Sequence, residues 1–208
     1  SHVLAALYLD STLLENQFEK EASSTPIEEH LYLLLHAIAW AALQEFLVDA
    51  TPFHKLSAPR RTELIQFFQH ALPELTHPLE LADTLQAHGL STLANLVENQ
   101  TDSIPSGLTA QLNLLAALTM PLETARKESH LAWLDRGLRL MQRCGTQSVC
   151  VLVDGLDQIV ANDRIEDATE FLLPLCRALP RLKNLRLTFR FFLPLELHAE
   201  LRDRGVWF

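Results

Sequence analysis

The chain has 208 residues, 48% hydrophobic and 21% charged, with a formal net charge of −9, a composition that excludes a disordered, collagen-like or low-complexity polypeptide. At roughly 150 residues per domain this is one large domain, or one domain carrying an insertion. Ten prolines and only six glycines, with abundant Leu and Ala and few β-branched runs, favour helices and exclude an all-β fold.

The charge is unevenly spread. Residues 1–125 hold 4 basic and 15 acidic side chains, a balance of −11, whereas residues 126–208 hold 13 and 11, a balance of +2. Counterion release needs a basic surface, so no nucleic-acid partner is expected. Cys144, Cys150 and Cys176 are odd in number and lack CxxC spacing, which argues against a disulfide framework or a zinc site and points to a reducing cytoplasm. The most apolar run, Leu31 to Leu43, is 13 residues long and shorter than the roughly 20 a bilayer requires. It reads as a buried helix, no membrane partner is expected, and the N-terminus shows no secretory signal pattern.

In chain order, Val3 to Leu9 forms a short apolar run ending at Asp10 and reads as a buried strand. Thr25-Pro26-Ile27-Glu28 supplies a cap, a proline at the first helical position and the acid of a capping box, predicting a helix from Pro26 to about Val48. Ser57-Ala58-Pro59, Thr76-His77-Pro78 and Ser91 look like further helix starts, and Gly89 like a C-terminal cap. Residues 98–107 are the long polar break and read as a surface loop. Leu108 to Leu118 and Pro121 to Cys144 read as helices, the second with Leu131, Leu134, Leu138 and Met141 at helical spacing, a stripe expected to face the core. No repeat of fixed period is found.

The pattern then changes. Ser148 to Val153 is a continuous β-favouring run ending in Asp154, the signature of a strand covered on both faces. A helix from about Ile165 to Ala178, a strand over Leu185 to Phe192 and a helix after Pro194 follow. The expected fold class is therefore α/β and helix-rich overall. Its parts are a first strand and connection over 1–25, a helical insertion over 26–125, and an α/β part over 126–208.

Val149-Cys150-Val151-Leu152-Val153-Asp154-Gly155-Leu156-Asp157 places two carboxylates at the carboxyl end of a buried strand, where open α/β sheets bind ligands. A carboxylate there touches a metal, a helix N-terminus or a bound group, or else caps the following turn. The nine histidines include no HExxH pair, no GxSxG element is present, and a strand thiol such as Cys150 is inert. Arg181, Lys183, Arg186 and Arg190 form either a basic patch or a charged guard on a sheet edge.

The segment 150–157 resembles the Walker B element of signal-transducing P-loop NTPases of the STAND and NACHT kind, in which an apolar strand ends in Asp-Gly-hydrophobic-Asp. Leu187-Thr188-Phe189-Arg190, running into Phe191-Phe192-Leu193-Pro194, is similar to the following strand of that family, whose Thr-x-Arg acts as a sensor. The resemblance covers about residues 129–200, with Val3 to Asp10 as a further strand. It implies a partial parallel P-loop-type sheet of about three strands with a large helical insertion, Mg²⁺ held through water by Asp154, attacking water oriented by Asp157, and the γ-phosphate of ATP or GTP sensed by Arg190. Such roles suit phosphoryl transfer, where positioning and charge neutralisation carry the catalysis.

Two departures accompany the resemblance. Gln158 stands where many members have a further acid, and no two glycines are five apart nor does any of the four lysines follow a glycine, so the phosphate-binding GxxxxGK[ST] loop is absent. The family's strand order is 5-1-4-3-2, and the three strands here correspond to strands 2, 3 and 4. The chain is accordingly expected to be a fragment of a nucleotide-dependent regulatory NTPase, inactive alone, with a protein partner or a second copy completing it. The alternative is a non-catalytic interaction module in which the helices dock a partner and a degenerate α/β half is scaffold.

Overall fold

The computed structural model describes residues 2–8, 26–77, 80–99, 108–120, 128–157 and 164–206. Three strands, β1 (His2–Leu7), β2 (Thr146–Val153) and β3 (Leu187–Phe191), form one sheet in the order β1-β2-β3. Both pairings are parallel, with Leu4 opposite Val149 and Val149 opposite Leu187. The helix-rich α/β class read from the sequence is what the chain adopts, and its strands lie within two residues of the expected bounds.

Between β1 and β2 run α1 (Ile27–Val48), α2 (Thr51–His54), α3 (Ala58–Ala71), a 3₁₀ turn (Pro73–Thr76), α4 (Leu81–Ala87), α5 (Ser91–Asn99), α6 (Thr109–Thr119) and α7 (His130–Arg143). After β2 come α8 (Ile165–Leu182), a second 3₁₀ turn (Lys183–Leu185), β3 and α9 (Leu195–Asp203). The capping box expected around Thr25 and most of the 98–107 loop lie outside the described residues, as does Pro78.

Helix α1 is the hub. Its buried residues include His30, Leu31, Leu34, Ile38, Leu43 and Phe46, and such burial on most sides marks a helix enclosed by others rather than one lying on a surface. The 13-residue run read from the sequence is part of a 22-residue helix that is long and apolar enough to cross a membrane, yet 67% of its most apolar window is buried within the protein. Strand and helix side chains then join in one contiguous core that extends from Leu4 through Trp133 to Leu201.

Three local expectations are corrected. The helix expected over Pro121 to Cys144 begins at His130 within the described residues. Ser129 is extended (ψ 156°) and its hydroxyl accepts the Ala132 N–H, so Glu128 and Ser129 lie outside the helix; 121–127 are outside the described residues. The buried face of α7 is Trp133, Leu134, Gly137, Leu138 and Met141, while Leu131 is 42% exposed. Of the expected stripe only Leu131, in the first turn, departs, and Gly137 lets the Phe67 ring of α3 come against the helix backbone, where a Cβ would lie 2.0 Å from Phe67 Cε2. Finally, α8 runs past Ala178 to Leu182 with Pro174 and Pro180 inside it, its apolar face holding the helix together where propensity disfavours it.

Coverage of the sheet is also corrected. On one face Leu4, Ala6, Val149, Val151, Val153 and Leu187 are buried, while on the other Val3 and Leu7 stay 57% and 52% exposed and Cys150 and Leu152 are half-buried. The strand order supplies the reason. Right-handed crossovers in a sheet that grows steadily in one direction deliver every connecting helix to the same face. The second face is covered only where the chain reverses direction, and the order β1-β2-β3 contains no reversal.

Candidate functional site

The Asp154-Gly155-Leu156-Asp157 loop leaves the carboxyl end of the central strand. Gly155 takes φ +82°, a left-handed conformation that favours glycine and turns the chain out of the strand. Leu156 is fully buried and pins the loop to the core. The two flanking carboxylates are thereby left exposed on either side of a fixed apolar anchor. Asp154 Oδ1 accepts the Gly155 N–H at 2.8 Å, the local capping contact weighed above as one of two readings.

Arg190 lies on β3 opposite Leu152, two residues before Asp154 along the partner strand, and its side chain is exposed. It belongs to the sparsely covered face. The structure thus brings the three expected residues to neighbouring strands, but no ion pair between described residues joins Arg190 to either carboxylate. Two exposed carboxylates are a donor set suited to a hard, water-retaining cation such as Mg²⁺. Phosphate binding has no comparable provision, since the sequence lacks the glycine-rich loop and its lysine. Among the described residues no three His, Cys, Asp or Glu side chains converge as a metal site.

Three of the described histidines, His30, His36 and His70, take part in packing. His30 is fully buried, its Nδ1 meeting the Tyr8 hydroxyl and its ring 4.8 Å from that of Phe171. Burial pushes its pKa down to about 4, against the opposing pull of the Phe171 carbonyl and Glu29. His36 and the Trp40 indole N–H both reach Glu74 Oε1 at 3.0 Å, and His70 stacks on Trp133 with centroids 4.6 Å apart. Burial raises the Cys144 thiol to about 11 and the Cys176 thiol to about 12, which leaves both protonated and unreactive near neutrality.

Sequence reasoning missed a groove of about 1200 Å³ that runs along β3, between α8 and α9. Leu179, Leu187, Phe189, Phe191, Leu193 and Leu195 line it. The signal available was the aromatic alternation of β3 beside an amphipathic helix. No family model, curated protein or solved structure matches the chain.

Proposed function

We propose that this chain is the Mg²⁺-handling and sensor half of a cytoplasmic, nucleotide-dependent regulatory P-loop NTPase of the STAND or NACHT kind, whose phosphate-binding loop is supplied by polypeptide outside these 208 residues. The observation that carries the reading is the placement of Asp154 and Asp157 at the carboxyl end of the central parallel strand, with Arg190 on the next strand in order. Bound Mg²⁺ and ATP or GTP would supply the electrophilic phosphoryl group and neutralise its charge. Asp154 holds the cation through water, Asp157 orients the attacking water, and Arg190 meets the γ-phosphate. In open α/β sheets the ligand crevice forms where strand order reverses. In the family's order 5-1-4-3-2 that reversal lies between strands 1 and 4, which would put it at the free side of β3 once the missing strand is added.

The test is thermal unfolding of the chain, and of the natural protein that contains it, with and without Mg²⁺ and millimolar ATP, GTP or ADP, because a ligand that binds only the folded state raises Tm. The expected result is no shift for these residues alone and a Mg²⁺-dependent rise for the natural protein that Asp154→Ala removes. A natural protein indifferent to every nucleotide would overturn the reading.

A second reading is a non-catalytic interaction module. It is favoured by the sparsely covered sheet face, with Val3 and Leu7 more than half exposed, since parallel sheets normally bury both faces. In that case Asp154→Ala leaves partner binding and nucleotide response alike unchanged.

A further inference from the structure

The groove beside β3 has a charge pattern as well as a shape. Lys183 and Arg186 stand at its edge near the start of β3, both exposed, and neither makes an ion pair with a described residue. Among the described residues no acidic side chain lines it, although the chain as a whole carries −9. The floor is apolar, with the Phe189 and Phe191 rings stacked 6.1 Å apart and only half-buried, and Leu195 is 83% exposed at its lip.

The main chain of β3 is open on the same side. Val149 N–H bonds to the Arg186 carbonyl and Phe192 N–H to the Val153 carbonyl, so the even-numbered residues pair with β2. Strand alternation then turns the peptide groups of Leu187 and Phe189 toward the opposite edge, where no described strand pairs with β3. An open edge is a template for another strand. Arg190 is the one charge that stands along β3 itself, on the opposite face of the strand, whereas Lys183 and Arg186 flank an apolar trough.

We propose that the free edge of β3 and its groove form a strand-addition site for a partner protein's extended apolar segment flanked by acidic residues. Main-chain hydrogen bonds to β3 give the affinity, alternate apolar side chains of the partner cover Phe189, Phe191 and Leu195, and its acidic flank meets Lys183 and Arg186. The site needs no nucleotide, and it competes with the NTPase reading, in which the strand preceding the phosphate-binding loop takes the same edge.

The test uses two pools of synthetic peptides, each with a randomised apolar β-forming core of about six residues, one flanked by Asp and Glu and the other by Lys. Selected on the immobilised chain, binders are expected from the acidic pool, with affinity falling as salt rises. Replacing alternate peptide amides with N-methyl amides abolishes binding if the contact is a strand ladder. Lys183→Ala with Arg186→Gly weakens it about tenfold, as two surface ion pairs would. Arg186 has φ +61°, where glycine is relaxed, so this variant keeps its fold and its unchanged Tm verifies that. Equal recovery from the two pools, tolerance of N-methylation, or recovery of no peptide would overturn the proposal. So would a self-association, seen by sedimentation, that excludes the peptides, since it assigns the edge to a second copy.

Discussion

The Tyr8 hydroxyl, at the end of β1, donates to Nδ1 of His30 on the first turn of α1, and the pair is buried. It ties the sheet to the hub helix at a point where neither group reaches water. Burial, with Cys176 and Glu29 nearby, raises the Tyr8 pKa, and burial lowers that of His30 to about 4. Each group therefore stays neutral near physiological pH, the tyrosine as donor and the imidazole as acceptor.

This arrangement sets an acid response. Because the folded His30 pKa lies near 4 and the unfolded one near 6.5, the unfolded state binds the extra proton between those limits, so stability falls as pH drops through that window. A shift of this size corresponds to about 3 kcal/mol, complete near pH 4. Glu74 adds a second, lower window. Its burial pushes the pKa up, but hydrogen bonds from His36, the main chain and Trp40 outweigh burial and hold it below the usual carboxylate value, so its contribution disappears as pH falls through that depressed pKa. Urea unfolding at pH 7, 5.5, 4 and about 3 checks both; equal stability at pH 7 and 4 would exclude the histidine effect.

Tyr8→Phe removes the donor while leaving the ring in place, and His30 Nδ1 loses its partner inside the core. The expected cost is about 1–3 kcal/mol, read as a lower denaturant midpoint with an unchanged slope. A neutral result would mean that water reaches Nδ1.

Gly137→Ala drives a methyl group into the Phe67 ring. Overpacking of this kind costs about 1–3 kcal/mol, and the added Phe67→Leu change is expected to restore part of the loss. Failure of the second substitution to rescue Tm would mean that the clash is relieved by movement of α7 instead.

Ser129→Ala deletes the side-chain cap of α7. Loss of an N-cap costs about 0.5–2 kcal/mol, and amide exchange should quicken at Ala132 before it does at Met141.

Asp154→Ala, by contrast, is expected to leave stability within about 0.5 kcal/mol, since the carboxylate is exposed and bonds only to the adjacent Gly155 N–H among described groups. A melting temperature several degrees lower would make the residue a structural cap and remove the main support for a role at Mg²⁺.

The three strands, the hub helix and the two carboxylates after β2 were legible in the sequence, because each is encoded locally. An apolar β-branched run, a proline-opened helix and a glycine turn depend only on near neighbours. The close approach of α7 to α3 was not legible, since it is set by the Phe67 ring packed against Gly137 from a helix some 70 residues earlier. Nor was the extension of α8 past Ala178 through Pro180, where burial of Leu182 outweighs local propensity. Strand order is likewise a tertiary property, and among the described residues it leaves the crossovers on one side and one edge of β3 unpaired beside an apolar groove. By itself the sequence determined which segments are helix or strand and where acids cluster; the tertiary structure decided which faces are buried and which remain open, because burial depends on contacts between residues far apart in the chain.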